Sequence, residues 1–353
     1  MNVMKQSKKY FCLALMCLCG MNLFAQQQKI ELKVLQMNIW QEGTSVPGGF
    51  EAIGEEIIDK RPDVVLFSEI RNYKDTDFIQ RIRQYLASKG VTYYGESSEK
   101  SLDVGLIAKY PIRTQAPNYD EGKKVGNVLK TKLSIKGQHF IFYSAHLDYT
   151  NYACYLPRGY DGVTWKKLST PIVDNEAILT ANKLSKRDEA IQDVIADVEK
   201  EDKEQIIILG GDFNEPSHLD WTTHTKDLFD HRGTIIPWHC SVMLQQAGFV
   251  DSFRKMYPNP VTHPGFTYPS YNKGVDISKL AWAPEADDRD RIDYLYYLPR
   301  NGLSLKDITI VGPIETVVRA KMQGRDSEDH FLLPKAIWPS DHKALLATFV
   351  VHL

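Results

Sequence analysis

The stretch Ile206-Ile207-Ile208-Leu209-Gly210-Gly211-Asp212-Phe213-Asn214 indicates how this chain folds. Its first four residues are large and apolar without alternation, which is typical of a strand covered on both faces, and the two glycines end that run. If the backbone stays extended, Asp212 and Asn214 project to the same side, because side-chain direction alternates along a strand. Taken alone, the segment is equally well explained as a strand end whose Asp and Asn form a turn.

Other apolar segments also end in polar residues. Strands are predicted at 30–40, 63–70 and 140–148, and helical spacing at 50–59 and 78–89 alternates with the first two strands. This alternation predicts an α/β fold. Because the sequence has no clean linker, it favours a single domain that spans residues 26–353. The polar residues of these ends, of the predicted strand 291–297 and of the loop 337–343 are Asn38, Glu69, His146, Asp293, Asp341 and His342.

The rest of the sequence divides into regular elements and long loops. The clearest predicted helix is 177–199, which contains Arg187. Residues 151–174 and 256–290 are rich in aromatic residues, which predicts packed loops near the site and not disordered linkers. Further elements are predicted at 104–108, 128–135, 308–311 and 344–351 as strands and at 241–247 as a short helix.

Residues 1–25 have the features of a secretory signal peptide. Three lysines precede an apolar run from Phe11 to Cys19, and Ala25 is a small residue at the expected cleavage point. The run is too short for a membrane span, so an uncleaved anchor is the less favoured alternative. We expect a periplasmic or secreted protein with no transmembrane segment after signal removal. Cys154 and Cys240 would remain, either as one disulfide or as two buried thiols.

The charge balance bears on the class of partner. The chain has 43 basic and 45 acidic residues, and loss of the three lysines within residues 1–25 would leave 40 and 45, a formal charge of −5. Non-specific binding to nucleic acid requires clustered Lys and Arg, and no such cluster is evident in the sequence. Nucleic acid is therefore not a favoured partner, and a monomer is expected.

The collected polar residues are of a kind that binds a hard cation. They include several oxygen donors and no cysteine, which favours Mg²⁺ or Mn²⁺, with Ca²⁺ as the alternative, over Zn²⁺. Glu69 is the first choice of ligand and Asp341 the second, and Asn38 is expected to ligate the metal or hold its water. Such a site suits hydrolysis of a phosphate ester, in which positioned water and charge neutralisation lower the barrier.

The remaining residues have roles in the same chemistry. His342 is expected to accept a proton from water, with Asp293 as its orienting acceptor, because imidazole titrates near neutral pH. Asn214 and His146 would hold the non-bridging oxygens. Each residue alone has a structural alternative, since Asp and Asn form turns and a single His is commonly a core residue. Together they favour a shared site, because polar groups at the ends of apolar strands are costly to bury separately.

Six short motifs in one order resemble the endonuclease/exonuclease/phosphatase superfamily, which includes deoxyribonucleases, inositol polyphosphate 5-phosphatases and bacterial sphingomyelinases. The resemblance extends from residue 30 to the end of the chain. The motifs are Gln36-Met37-Asn38, Ser68-Glu69, Ser144-Ala145-His146, Gly211-Asp212-Phe213-Asn214, Arg291-Ile292-Asp293-Tyr294 and Ser340-Asp341-His342.

The resemblance implies a four-layer α/β sandwich in which two central mixed sheets are flanked by helices. It implies that Glu69 ligates the metal with help from Asn38, and that Asp341 precedes the base as in the family. It also implies that Asp212 orients or activates water, that Asn214 holds phosphate and that Asp293 pairs with His342. His146 would stabilise the transition state. Whether Asp212 or His342 takes the proton stays open.

The sequence departs from the family pattern in ways that concern the substrate. Ser68 stands where the family commonly has Gln, and the loops 151–174, 216–221 and 256–290 exceed a minimal nuclease. Arg187, His218 and Trp221 are predicted to bind substrate. Other aromatic residues that could stack on a base, a sugar or a lipid head group are Tyr149, Tyr152, Tyr155, Trp165, Trp238 and Trp282.

These observations predict an exported, divalent-metal-dependent phosphoesterase that uses in-line attack by water on a phosphodiester or phosphomonoester. A secreted nuclease is the second candidate, and a sphingomyelinase-like phospholipid hydrolase is the third. A non-catalytic binding protein on the same scaffold is the alternative from a different class.

Overall fold

The computed structural model describes residues 29–98, 102–119 and 127–352. The predicted signal peptide, residues 1–25, lies outside the described residues. None of the helices within the described ranges has the length and apolar character needed to cross a membrane.

Two six-stranded mixed sheets form the centre of the molecule. The first has the strand order β13-β10-β14-β1-β2-β3 and the second the order β4-β5-β6-β7-β9-β8. A hairpin of β11 and β12 is separate from both. The strands are β1 (Lys29–Asn38), β2 (Val64–Ser68), β3 (Val104–Ala108), β4 (Ile112–Pro117), β5 (Asn127–Ile135), β6 (Gln138–His146), β7 (Ile206–Asp212), β8 (Val250–Asp251), β9 (Asp293–Tyr297), β10 (Leu303–Val311), β11 (Thr316–Val318), β12 (Lys321–Gln323), β13 (Phe331–Leu332) and β14 (Ala344–His352).

The two sheets face each other across a continuous apolar core, and helices cover their outer faces. Leu32 and Leu66 of the first sheet belong to the same buried cluster as Phe142 and Ile208 of the second. The outer face of the first sheet packs on α1 (Gly49–Lys60) and α2 (Phe78–Ser88), and that of the second on α4 (Arg187–Lys200) and α5 (His239–Gln246). The other α-helices of the described residues are α3 (Asn175–Asn182) and α6 (Ser252–Met256). The predicted four-layer α/β sandwich is therefore confirmed.

The predicted helix 177–199 is corrected to two helices. Helix α3 ends at Asn182 and α4 begins at Arg187. The Asn182 side chain accepts a 2.8 Å hydrogen bond from Arg187 and donates one of 2.6 Å to Glu215, and the Ser185 hydroxyl donates to the Asn182 backbone carbonyl at 2.9 Å. These side-chain bonds stabilise a break that apolar periodicity alone cannot reveal. The strand β4 was not predicted, because its surface is mostly polar and exposed.

The topology brings the predicted polar residues to one edge. Strands β1 and β2 run parallel, as do β6 and β7, so their carboxyl ends meet there. Strand β9 runs antiparallel to β7 and pairs Asp293 with Asp212, while β14 runs antiparallel to β1 and begins at the same edge. A side chain at Gly211 would place its Cβ 1.9 Å from Ala145 O, so only glycine allows β6 and β7 this close beside Asp212.

Both remaining cysteines, Cys154 and Cys240, are free and buried. Of the two states that the sequence left open, the structure therefore has the buried thiols.

Candidate active site

Asp212, at the end of β7, lies at the centre of the polar edge and is 1% exposed. Its Oδ2 accepts a 2.9 Å hydrogen bond from Asn38 Nδ2, which also donates to Glu69 Oε1 at 3.2 Å. The Ser68 hydroxyl donates to Ala145 O at 2.9 Å and accepts from Asp212 N at 3.3 Å. Ser68, at the position where the resemblance implies Gln, therefore links β2 of the first sheet to β6 and β7 of the second by hydrogen bonds.

Two histidines flank Asp212, each oriented by its own carboxylate. His342 Nδ1 lies 2.9 Å from Asp293 Oδ2, and His146 Nδ1 lies 2.6 Å from Asp103 Oδ2. The Nε2 atom of each ring lies 3.8 Å from the same oxygen, Asp212 Oδ2. The site therefore has two carboxylate–imidazole pairs that converge on one buried carboxylate.

The charges of this group shift the pKa values of its members. Burial alone would lower the pKa of His146, but Asp103 and Asp212 outweigh it and raise that pKa to about 9. Burial likewise opposes protonation of His342, and Asp293 and Asp212 together hold its pKa well above the usual value. Burial raises the pKa of Asp212 to about 6 despite the stabilising charge of His342. The carboxylates around the two imidazoles therefore favour their protonated forms near neutral pH.

The loops after β1 and β2 contain residues in the left-handed backbone conformation. Trp40, Gln41 and Glu42 follow β1 with φ values of 39°, 56° and 64°, and Glu69 after β2 has a φ of 68°. Residues other than Gly seldom adopt this conformation, and clusters of it are typical of functional sites. The Gln41 amide donates to Glu69 Oε2 at 3.1 Å, which fixes the carboxylate beside Asn38.

The residues predicted to hold a divalent cation fit that role. Asp341 is 5% exposed, and its Oδ1 is buried without a hydrogen-bond partner. Burial, reinforced by the nearby charge of Glu69, raises the pKa of Asp341 to about 7. The carboxylates of Glu69 and Asp341 provide hard oxygen donors that a cation would stabilise. Asn38 is placed to support them, because its Nδ2 donates to Glu69 while its Oδ1 accepts the Trp40 N–H at 2.9 Å. A second close group, Asp212, Asp293 and His342, has donor atoms within 4.8 Å of one another, but there the His342–Asp293 bond occupies a ligand atom.

These groups line one wall of a cavity of about 310 Å³. The opposite wall is aromatic, and its residues come from the loops after β6 and before β9. Among the described residues that line the cavity, Arg71 is the only lysine or arginine. The aromatic residues of the lining are Trp40, Tyr149, Tyr152, Tyr155, Trp165, Tyr268 and Trp282.

Comparison with known proteins agrees with this geometry. The sequence matches the endonuclease/exonuclease/phosphatase family over residues 35–342. The chain belongs to this family. The resemblance drawn from the six motifs is thereby confirmed, and family membership makes the protein a hydrolase of phosphoester bonds.

Similar proteins are known at the level of sequence and of fold. A Caenorhabditis elegans protein described as uncharacterized protein F14F9.5 is 26% identical over 330 residues, which cover 90% of this chain and 91% of that protein. Two structures of D. rerio TDP2, one humanized by 14 mutations and one complexed with single strand DNA product, each superpose with a TM-score of 0.50 at 14% identity. Each superposition covers 90% of this chain and 98% of the other, and at this identity it shows a shared fold.

The structure brings together the eight residues predicted for catalysis and metal binding. Asn38, Glu69, His146, Asp212, Asp293 and His342 are joined by the hydrogen bonds and short contacts given above, and Asp341 lies beside Glu69 on the cavity wall. Asn214 also lines the cavity, and its Nδ2 donates to Leu147 O at 3.0 Å, which leaves the second N–H of the amide for a ligand.

The three residues predicted to bind substrate are elsewhere, which corrects that prediction. Arg187 is 1% exposed and donates to the carbonyls of Asp148, Thr150 and Asn151, so it anchors the first aromatic loop. Trp221 is fully buried and donates from Nε1 to Asp290.

His218 is the third of these residues. It lines a different cavity, where its ring bonds to Ser241 and Gln245. Closeness in sequence to Asn214 suggested that His218 and Trp221 line the pocket, but their side chains and that of Arg187 pack and form hydrogen bonds away from the candidate site.

Three charged residues of the site were not predicted. Asp103 precedes β3, and only the antiparallel pairing of β3 with β2 brings it to the edge. Arg71 lies 3.6 Å from Glu69 Oε2 and also bonds Asp103 at 2.5 Å. Glu42 is fully buried and accepts the Arg71 backbone N–H at 2.8 Å, so it holds the loop that carries Arg71. A carboxylate immediately before an apolar strand was the only sequence signal for Asp103.

Proposed function

We propose that this protein is a divalent-metal-dependent phosphoesterase that uses in-line attack of water on a small phosphodiester or phosphomonoester. The observation that supports it best is the pair of carboxylate-bound imidazoles, each 3.8 Å from Asp212 Oδ2, at the end of one cavity. Such a group places donors and an acceptor around a tetrahedral phosphorus without contributing a covalent nucleophile.

The chain's own residues divide the work between proton transfer and charge stabilisation. The proton of the attacking water goes to the Asp212 carboxylate, and Asp212 and His342 act as one coupled proton-transfer pair because strongly interacting groups share their titration. Asp293 holds the His342 ring through Nδ1 and is itself fixed by Gln36, whose Nε2 donates to Asp293 Oδ1 at 2.9 Å. The His342 ring is therefore oriented by a carboxylate that is itself held in place.

His146 and Asn214 face the phosphoryl oxygens. The imidazolium of His146 is maintained by Asp103, and it supplies a charged donor where negative charge develops. Asn214 adds a neutral N–H from the other side of Asp212. Their combined effect is selective for the transition state, since it grows with the charge on those oxygens.

Glu69, Asp341 and Asn38 would hold the cation, which is expected to be Mg²⁺ or Mn²⁺, with Ca²⁺ as the alternative. When bound, such an ion neutralises phosphate charge and polarises the ester. Arg71 contributes a further positive charge on the same wall.

Export and a monomeric state stay predictions from the sequence. Fractionation of the producing cells, with N-terminal sequencing of the mature chain, would test cleavage after Ala25. Recovery of an uncleaved chain only in the cytoplasm would contradict it. Light scattering on the purified protein would test the monomer.

The function itself is tested with a substrate panel. Bis-p-nitrophenyl phosphate and p-nitrophenyl phosphate should be hydrolysed with added Mg²⁺ or Mn²⁺, EDTA should stop turnover, and plasmid DNA should be a poor substrate. Rapid cleavage of the plasmid would favour the nuclease, and release of phosphocholine from sphingomyelin would favour the phospholipid hydrolase. Lack of turnover with every ester at every metal would reject the enzyme.

A further inference from the structure

The aromatic wall of the active-site cavity consists of Tyr149, Tyr152, Tyr155, Trp165 and Trp282. Trp165 lies at its centre, with ring-centroid distances of 5.5 Å to Tyr155, 6.0 Å to Tyr152 and 5.9 Å to Trp282. Trp282 is 52% exposed and Tyr149 is 60% exposed. Large aromatic faces left in solvent beside catalytic groups are suited to contact with a ligand.

The wall is rigid although its residues are on loops. Tyr155 donates to Asp288 at 3.0 Å, and Tyr152 N donates to Gly162 O at 2.8 Å. A side chain at Gly162 would place its Cβ 2.6 Å from Tyr152 O, so the loop packs tightly against itself. The two loops are also joined to each other, because Glu285 N donates to the Tyr160 hydroxyl at 3.1 Å. A binding surface that is ordered in advance loses little entropy when a ligand binds.

One wall residue also has an unpaired polar atom. Tyr152 is 4% exposed, and its hydroxyl is buried without a hydrogen-bond partner. A buried hydroxyl left unpaired is costly, so a ligand group that paired with it would gain binding free energy. Two other lining residues, Gln41 and Asn214, are neutral hydrogen-bonding groups. The ligand thus meets flat apolar faces together with neutral hydrogen-bonding groups.

From these observations, and resting on the proposed function, we propose that the aromatic wall binds the sugar ring of a small glycosyl phosphoester. The C–H face of a pyranose packs on one aromatic face, and its hydroxyls exchange hydrogen bonds with groups such as the Tyr152 hydroxyl. Trp165 and Trp282 are tilted by 44° to one another and so do not form the parallel slot that would hold a flat base on both sides. A cavity of about 310 Å³ lies at the lower end of small-molecule sites, which suits one ring and one phosphate.

Charge also favours a neutral ring. Arg71 is the single lysine or arginine among the described lining residues, and Glu69, Asp212 and Asp341 share the cavity with it. A substrate with several phosphates would lack cationic partners beyond the reacting phosphate. The ring is therefore expected to have hydroxyl groups and no additional charge.

The experiment compares three phosphomonoesters on the metal-loaded full chain: glucose 1-phosphate, adenosine 5′-phosphate and the acyclic polyol ester glycerol 1-phosphate. Glucose 1-phosphate should have the highest kcat/KM. Trp282→Ala should lower the ratio of kcat/KM for glucose 1-phosphate to that for glycerol 1-phosphate about tenfold, since stacking on one aromatic ring contributes that much. Tyr94→Ala, which removes an aromatic ring 41% exposed outside the cavity, is the matched control and should leave the ratio unchanged.

Tyr152→Phe gives a second, independent measurement. It removes only the unpaired hydroxyl, so folding stability should not fall, while KM for glucose 1-phosphate should rise severalfold. Binding of glucose 1-phosphate in EDTA, followed by tryptophan fluorescence, should weaken in both wall variants and not in Tyr94→Ala.

The outcomes separate the two proposals. Equal kcat/KM for the three esters, with a ratio that Trp282→Ala does not change, would overturn the sugar site and leave the phosphoesterase intact. A preference for adenosine 5′-phosphate that Trp282→Ala abolishes would replace the sugar with a base. Lack of turnover with p-nitrophenyl esters as well would reject the proposed function itself.

Discussion

The catalytic edge and the aromatic wall face each other across one cavity and are built in different ways. The edge consists of residues at or beside the ends of β1, β2, β6, β7, β9 and β14, whose positions are fixed by strand pairing such as Asp212 opposite Asp293. The wall consists of loop residues whose positions are fixed by side-chain packing and a few hydrogen bonds. Changes at the edge should therefore affect turnover, and changes in the wall should affect recognition and local stability.

The largest expected effect is at the edge. His342→Ala should lower kcat by about 10²–10⁴-fold, because it removes a proton-transfer group. Steady-state assays with bis-p-nitrophenyl phosphate would measure this, and unchanged circular dichroism would show that the fold is intact. His352→Ala is the control, since this exposed histidine lies at the far end of β14, the strand that follows His342, and the variant should retain wild-type turnover. Comparable rates in both variants would remove His342 from the mechanism.

Glu69→Gln should change the dependence on metal in particular. Loss of one anionic ligand is expected to raise the metal concentration for half-maximal activity by about two orders of magnitude. Titration with Mg²⁺ and Mn²⁺ after EDTA treatment measures this shift. Glu199→Gln, at an exposed position on α4, provides the comparison. A titration curve identical to that of wild type would place the cation on other residues.

Asp103→Asn tests the second carboxylate–imidazole pair through pH. The pKa of His146 is raised to about 9, so its ring is an imidazolium below that pH and becomes neutral as pH rises through 9. Removal of the Asp103 charge lowers this pKa, so the alkaline limb of the kcat/KM profile should move to lower pH, with about a tenfold loss of activity at pH 8. The profile of Asp227→Asn, at a side chain 72% exposed, should match wild type. If the alkaline limb of the Asp103→Asn profile does not move, a group other than His146 causes that limb.

The smallest expected effect is in the wall. Tyr155→Phe removes the 3.0 Å hydrogen bond to Asp288 and should reduce the free energy of unfolding by about 1–2 kcal/mol. Thermal unfolding should shift by a few °C, and KM should rise more than kcat falls. Equal losses in kcat for this variant and for His342→Ala would show that the wall and the edge are not separable.

Much of the edge could be predicted because its signals are local. An apolar run that ends in Asp212 or Glu69 is visible along the chain, and the alternation of strand and helix implies that such ends meet. Asp103 could not be predicted in this way, because its place depends on the direction in which β3 pairs. The break between α3 and α4 was also missed, because it is stabilised by Asn182 side-chain contacts with residues distant in sequence.

The sequence by itself determined the α/β class, which follows from hydrophobic period, and its six motifs determined the family and, through that resemblance, the four-layer fold and the candidate residues for proton transfer and metal binding. Only the tertiary structure determined which aromatic residues face the cavity. Trp282 remains exposed there, while Trp221 and Trp238 are buried beneath the wall. An aromatic side chain is equally suited to a core and to a binding surface, so its neighbours in space, which periodicity does not encode in loops, decide its role.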